Sequence, residues 1–236
     1  MTKVAFLNPN ATEQMTHEMV VAARDVSTPD IQIVGYTNRD GPPAIQGPKD
    51  AEACLSGLFT IAKQARAAGA SVLIIGCFDD TGLHSLRATC GCPVIGLGEA
   101  ACLVASISRP RFVVVTTTQG SVPEITRNIT AMGLDPRCAG VVAADVPVLE
   151  ILDRADELEA VVRDQSRRFS EAAVVLGCAG MSPLSRRLAS VCKAPVIDPN
   201  RAAVKLAQTA LASDAGWKDA RPFSQGRVLG GRNASL

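Results

Sequence analysis

Histidine is nearly missing from this chain. Its 236 residues hold only His17 and His84. They lie far apart and lack the spacing of a zinc site, which argues against histidine-based metal or general-base chemistry. Aromatic residues are scarce at 3%, so the core must be aliphatic. Neither sign of charge is in excess: 24 Lys and Arg against 23 Asp and Glu give a net +1. That balance offers no electrostatic footprint for a nucleic acid or a membrane surface. No apolar run reaches the ~18 residues of a membrane-spanning helix. Only Val4 to Leu7 are apolar before Asn8-Pro9-Asn10, too short a stretch for a secretory leader, so a cytoplasmic location is expected.

Cysteine is plentiful, with eight residues. In a reducing compartment they should be free thiols. Cys54 and Cys102 fall in helical patterns, and Cys138 precedes an apolar run. All three read as small buried hydrophobes. Cys90-Gly-Cys92 has no partner cluster and does not support a metal site.

Two of the remaining three, Cys77 and Cys178, are the most informative feature of the chain, while Cys192 falls at the place in the second half that Cys90 holds in the first. Val72-Leu73-Ile74-Ile75-Gly76-Cys77 matches Ala173-Val174-Val175-Leu176-Gly177-Cys178. Each is a continuous apolar run of the kind that forms a strand covered on both faces. The match continues downstream, where Cys92-Pro93-Val94-Ile95 corresponds to Ala194-Pro195-Val196-Ile197. A duplicated unit therefore places a thiol at the carboxyl end of two equivalent strands, where open α/β sheets bind ligands.

Strand and helix patterns alternate along the whole chain, which implies a parallel sheet in each half. Strands are expected at Lys3 to Leu7, Ile31 to Tyr36, Phe112 to Thr116 and Val141 to Ala144, besides the two cysteine strands. Helices are expected over Thr12 to Asp25, over Asp50 to Ala68 with a Gly69 C-cap, and over Asp156 to Phe169. Ser121-x-x-Glu124 reads as a capping box, and Ser182-Pro183 as a cap followed by a first-turn proline. From Asp214 onward the chain turns polar and Gly-rich, as in a flexible or surface-draped tail. Two lobes are expected, one of residues 1–97 plus 199–236 and one of 98–198, joined intimately because no long linker separates them.

Two opposed thiols suit racemisation at a carbon acid. One base removes a proton, and an acid on the opposite face returns one. A thiol of ordinary pKa is only a few per cent ionised at pH 7, so each needs a positive influence. Helix starts expected at Thr81 and Ser182 would supply it through their free N–H groups. Asn8-Pro9-Asn10 and Thr116-Thr117-Thr118 end equivalent strands and could hold a small polar ligand, or simply cap the following helices. Gly41 to Gly47 reads as a ligand-covering loop or an ordinary turn. Gly96-Leu97-Gly98-Glu99-Ala100-Ala101 matches the dinucleotide pattern G-x-G-x-x-A, but no acidic residue for a ribose ends the next strand. The equivalent segment Asp198 to Ala203 has no glycine.

Asn8-Pro9-Asn10-Ala11-Thr12, Gly41 to Gly47, Gly76-Cys77-Phe78-Asp79-Asp80, Leu176-Gly177-Cys178-Ala179-Gly180-Met181 and Pro195-Val196-Ile197-Asp198-Pro199 resemble the hydantoin and allantoin racemases of the aspartate/glutamate racemase superfamily. The resemblance implies an α/β fold of two pseudo-symmetric lobes, each a mainly parallel sheet flanked by helices, with the site in the cleft between them. It implies cofactor-independent, metal-free racemisation with Cys77 and Cys178 as acid and base, a cyclic ureide substrate and a homo-oligomer. Asn8, Ile45, Gly47, Phe78, Asp79, Thr116, Thr117, Ala179 and Gly180 are the substrate-binding candidates. Amino-acid racemases of the superfamily usually follow each cysteine with Asn-Thr. Phe78-Asp79 and Ala179-Gly180 here suit a 5-substituted hydantoin or allantoin better. Arylmalonate decarboxylases are similar too but keep only the second cysteine. The pattern departs at Asp79 and Thr81, where the family has Gly and Pro, and at Gln46, where it has Glu. A carboxylate at position 79 would raise the neighbouring thiol's pKa. The rival readings are an amino-acid racemase, a dicarboxylate cis–trans isomerase, or a non-catalytic two-lobed binding protein.

Overall fold

The computed structural model describes residues 1–213. The segment from Asp214 onward, expected as a tail, lies outside the described residues. Each half of the chain builds the same sheet. Strands β1 (Thr2–Asn8), β2 (Ile31–Thr37), β3 (Ala70–Ile75) and β4 (Val94–Gly96) pair in parallel in the order β2-β1-β3-β4. Strands β5 (Arg111–Thr116), β6 (Cys138–Ala143), β7 (Ala172–Leu176) and β8 (Val196–Ile197) pair in the matching order β6-β5-β7-β8. Equivalent registers recur: Ala5 opposes Leu73 as Val113 opposes Val174, and Leu73 opposes Val94 as Val174 opposes Val196.

Helices α1 (Glu13–Arg24), α2 (Pro48–Ala67), α3 (Leu83–Thr89), α4 (Leu97–Ser108), α5 (Val122–Ala131), α6 (Ala155–Arg168), α7 (Ser185–Ser190) and α8 (Pro199–Ala212) cover the sheets. Strand residues alternate between faces, and this alternation joins the lobes. Val4, Phe6, Val72 and Ile74 of one sheet share a buried cluster with Phe112, Val114, Ala173 and Val175 of the other, filled in by α1, α4, α5 and α8. The opposite faces carry separate cores. One holds Ala5, Leu7, Leu73 and Ile75 under α2 and α3. The other holds Val113, Val115, Val174 and Leu176 under α6 and α7. Helix α8 packs on α1, α4, β3 and β4. Gly69, with φ of 84°, ends α2 as expected.

Three expectations are corrected. Strand β6 begins at Cys138, three residues ahead of Val141. It is a half-buried edge strand, so its first residues carry little apolar signal. Ser121 does not cap α5: it ends a 3-10 turn with helical backbone and makes no side-chain cap bond. Pro183 lies inside a 3-10 segment, Ala179–Leu184, and α7 starts only at Ser185.

Candidate active site

Cys77 and Cys178 each stand two residues past the last residue of their strand, separated from it by a glycine. The glycines are required by close packing. Gly76 donates its N–H to the Leu7 carbonyl and Gly177 to the Val115 carbonyl, both at 2.8 Å. A Cβ would lie 2.6 Å from Met19 Sδ at the first position and 2.9 Å from the Val115 carbonyl oxygen at the second. No side chain fits there, so the sulfurs are held at two equivalent turns.

Both thiols line one chamber between the sheets. Phe78 and Asp79 from the first lobe and Ala179 from the second form its walls, with Ile45, Asn10 and Thr117. Met15, Ser121 and Val148 complete it. Its volume is about 20 Å³, room for little more than one water. A second space, a groove of about 720 Å³, opens among α2, α3, α4 and α5 without touching either cysteine. Asp79 is the residue that lines both.

Matching ties brace the two cysteine loops. In the first lobe Asp80 reaches the start of α4, accepting from Gly98 N at 2.9 Å and Glu99 N at 2.7 Å. In the second, Ser182 donates to Asp198 Oδ1 at 2.8 Å, while Asn200 Nδ2 donates to the Ala179 carbonyl at 3.0 Å. Asp198 in turn caps α8 through Asn200 N and Arg201 N. Different residues thus perform the same bracing. The tie also explains Gly96-x-Gly98: a Cβ at Gly96 would sit 2.3 Å from the Asp80 carboxyl. The glycines and the helix N-terminus, which in a dinucleotide site would face a phosphate, here receive a carboxylate from the chain itself.

A clasp closes the chamber from the side. The Gln46 side-chain oxygen accepts from Val148 N at 3.0 Å, and its backbone carbonyl accepts from Thr118 Oγ1 at 3.2 Å. Asp50 Oδ2 holds Gln46 N from the first lobe at 3.0 Å. Within the segment from Gly41 to Gly47, Gln46 bonds to the second lobe and Ile45 lines the chamber.

The Asp/Glu/Hydantoin racemase family profile matches residues 4–207. The chain belongs to that family. It is an enzyme of the isomerase class. Hydantoin racemase of Rhizobium meliloti is 33% identical over 95% of both chains. The solved allantoin racemase from Klebsiella pneumoniae is 30% identical, with a TM-score of 0.86 over 98% of this chain and 97% of that one. Allantoin racemase of Pseudomonas fluorescens has a TM-score of 0.85 at 25% identity, covering 98% of this chain and 100% of that one. The two-sheet α/β architecture expected from the sequence is that of these structures.

In this racemase the expected effect of helix starts on the thiols is overturned. Burial pushes Cys77 well above the ordinary thiol range, and the Asp79 charge adds to the rise. Cys178 is pushed up to about 12 by burial, again with Asp79 contributing. No α-helix begins where the effect required one: α3 starts at Leu83 and α7 at Ser185. The opposing influence is smaller and comes from single amides. The Asp79 N–H lowers Cys77, and the Gly180 N–H lowers Cys178. Asp79 itself is raised to about 7 by burial, against the hydrogen bond from Ser121.

The remaining candidates of this racemase divide by position. Ile45, Phe78, Asp79, Thr117 and Ala179 line the chamber with the two cysteines, whereas Asn8, Gly47, Thr116 and Gly180 do not. Asn8 is fully buried, its amide donating to Asn10 Oδ1, the Thr12 carbonyl and Thr16 Oγ1. It orients Asn10, which occupies the wall instead. Thr116 donates to the Gly177 carbonyl at 3.0 Å and so steadies the turn before Cys178. Ser121, which the sequence offers only as a helix cap, and Met15 and Val148 line the chamber without a sequence signal for that role. Only the Asn10 position carried a signal, as part of Asn8-Pro9-Asn10.

Proposed function

We propose that this protein racemises a 5-substituted hydantoin or allantoin by proton transfer between Cys77 and Cys178, without a cofactor. The observation that supports it is one chamber walled by both thiols, each at the tip of an equivalent strand. One thiolate takes the proton from ring C5, and the C–H electron pair moves into the adjacent C4 carbonyl as an enolate. The opposite thiol then delivers its proton to the other face of C5 and becomes the thiolate. The cycle runs equally in either direction.

Amide donors from Asp79 and Gly180 stabilise whichever sulfur is ionised. The enolate oxygen falls to the chamber's side-chain donors. Asn10 Nδ2 is available, its one partner among the described residues being the soft sulfur of Met15 at 3.5 Å, and Thr117 lines the same chamber. Because the chamber holds little more than a water, the Gln46 clasp must release for a ring to enter and reform around it.

The test is deuterium incorporation at C5 in heavy water, followed by NMR alongside loss of optical rotation. Cys77→Ala and Cys178→Ala should each lose at least about a thousand-fold in racemisation while circular dichroism shows the fold intact. Near-normal turnover in either variant removes the two-base mechanism. A panel including aspartate, glutamate and maleate separates the hydantoin reading from an amino-acid racemase or a cis–trans isomerase.

A further inference from the structure

We propose that Asp79 selects the substrate: its carboxyl, on the wall that the chamber shares with the neighbouring groove, accepts N–H donors on the C5 substituent, favouring a ureido-type substituent over an aliphatic one. This rests on the racemase reading above.

Three observations carry it. First, Asp79 is only 6% exposed, yet its carboxyl has a single partner among the described residues. Ser121 Oγ donates to Oδ2 at 3.3 Å, a long bond, and Oδ1 receives none. That oxygen is free to accept from a ligand, and an N–H brought beside a carboxyl so shielded makes a stronger bond than it would in open water. Second, its position is fixed from behind. The Asp79 carbonyl accepts from Asn128 Nδ2 at 2.8 Å, which leaves the side chain directed to the wall shared by chamber and groove.

Third, the volumes dictate where a substituent goes. The closed chamber has no room beyond the reacting centre, so once the Gln46 clasp has released to admit a ring, the neighbouring groove of about 720 Å³ is the space large enough for the substituent, past Asp79. No lysine or arginine lines that groove among the described residues, while Glu52, Glu99 and Glu124 do. The groove therefore carries an excess of carboxylates, which favours a substituent rich in N–H donors. Two parallel N–H groups of a ureido unit match the two oxygens of one carboxyl, as an arginine fork does. A ring N–H does not explain the shared wall, since it would be met inside the chamber.

Allantoin and 5-isobutylhydantoin separate the cases, because their substituents have the same number of heavy atoms and differ in N–H donors. We expect wild-type enzyme to favour allantoin in kcat/KM by at least about 10-fold. Asp79→Ala should reduce that ratio by about 10-fold or more, chiefly through KM for allantoin. Asp79→Asn, which keeps one acceptor and the shape, should fall between. Any influence of Asp79 on the thiols acts on both substrates and cancels in the ratio. Deuterium exchange into unsubstituted hydantoin is the reference. A wild type that prefers isobutyl, or a ratio unmoved in Asp79→Ala with exchange still present, overturns the role of Asp79. Absence of exchange with all three substrates in the wild type would instead overturn the racemase reading on which it rests.

Discussion

Ser121 of the second lobe donates its hydroxyl across the cleft to Asp79 of the first, at 3.3 Å. Among the described residues this is the only side-chain hydrogen bond to a carboxyl that burial has raised to about 7. The consequence for stability has a definite sign. Between its ordinary value near 3.8 and about 7, the folded chain keeps a proton that the unfolded chain has released. The contribution is therefore full below pH ~4 and is lost as pH rises through ~7. Asp79→Asn, neutral at every pH, should be more stable than wild type at pH ~8 by up to about 4 kcal/mol. The advantage should vanish near pH ~4. Thermal unfolding at the two pH values measures it, and a difference independent of pH would contradict the assignment.

Both thiols lie above the ordinary range, with burial as the first cause and the Asp79 charge as a further one. Activity limited by the thiolate should then climb with pH through neutrality and beyond pH ~9. Removing the Asp79 charge should shift that limb toward lower pH by about one unit. The pH profile of kcat/KM for wild type and Asp79→Asn checks this. A bell with its maximum below pH ~7 would show that some other group governs the reaction.

Much of this site was legible because duplication repeats a pattern: two apolar runs ending in Gly-Cys announced two buried parallel strands and two equivalent tips. Neighbour-dependent facts were not. Ser121 carries the spacing of a capping box, yet its hydroxyl meets a carboxyl 42 residues away in sequence, which no local pattern encodes. Asn8 and Asn10 are alike as residues and both are buried, and only the fold decides which of them lines the chamber. The thiol pKa direction failed for a related reason. The distance to a helix start can be counted along a chain, whereas the burial that outweighs it cannot. The large groove has walls from several helices and leaves no trace in any one segment.

Asp80 presents two opposing effects. Burial raises its pKa to about 8, which alone would favour replacing it with a neutral residue. Its oxygens, however, satisfy the Gly98 and Glu99 amides at the start of α4, and it adopts φ of 51°, a region that aspartate tolerates better than alanine. Two orphaned buried donors outweigh the relief. Asp80→Ala should destabilise by about 2–3 kcal/mol in denaturant unfolding. An unchanged or higher midpoint would mean that the burial cost dominates.

The Gln46 clasp separates binding from chemistry. Its side-chain oxygen is the acceptor for Val148 N, and Val148 itself lines the chamber, so the bond sets the wall against which a ring would rest. Gln46 contributes no group that moves a proton. Gln46→Ala removes one interlobe hydrogen bond, worth about 1 kcal/mol net, and leaves the backbone bond from Thr118 in place. The closed state is weakened while the sulfurs keep their positions at Gly76 and Gly177. KM should therefore rise about five-fold, with deuterium exchange at saturating substrate changed less than two-fold by the same reasoning. Gln46→Glu retains an acceptor for Val148 N and should restore most of the affinity. If KM were unaffected in Gln46→Ala, or if kcat collapsed while KM held, the segment would be part of the chemistry and not its cover.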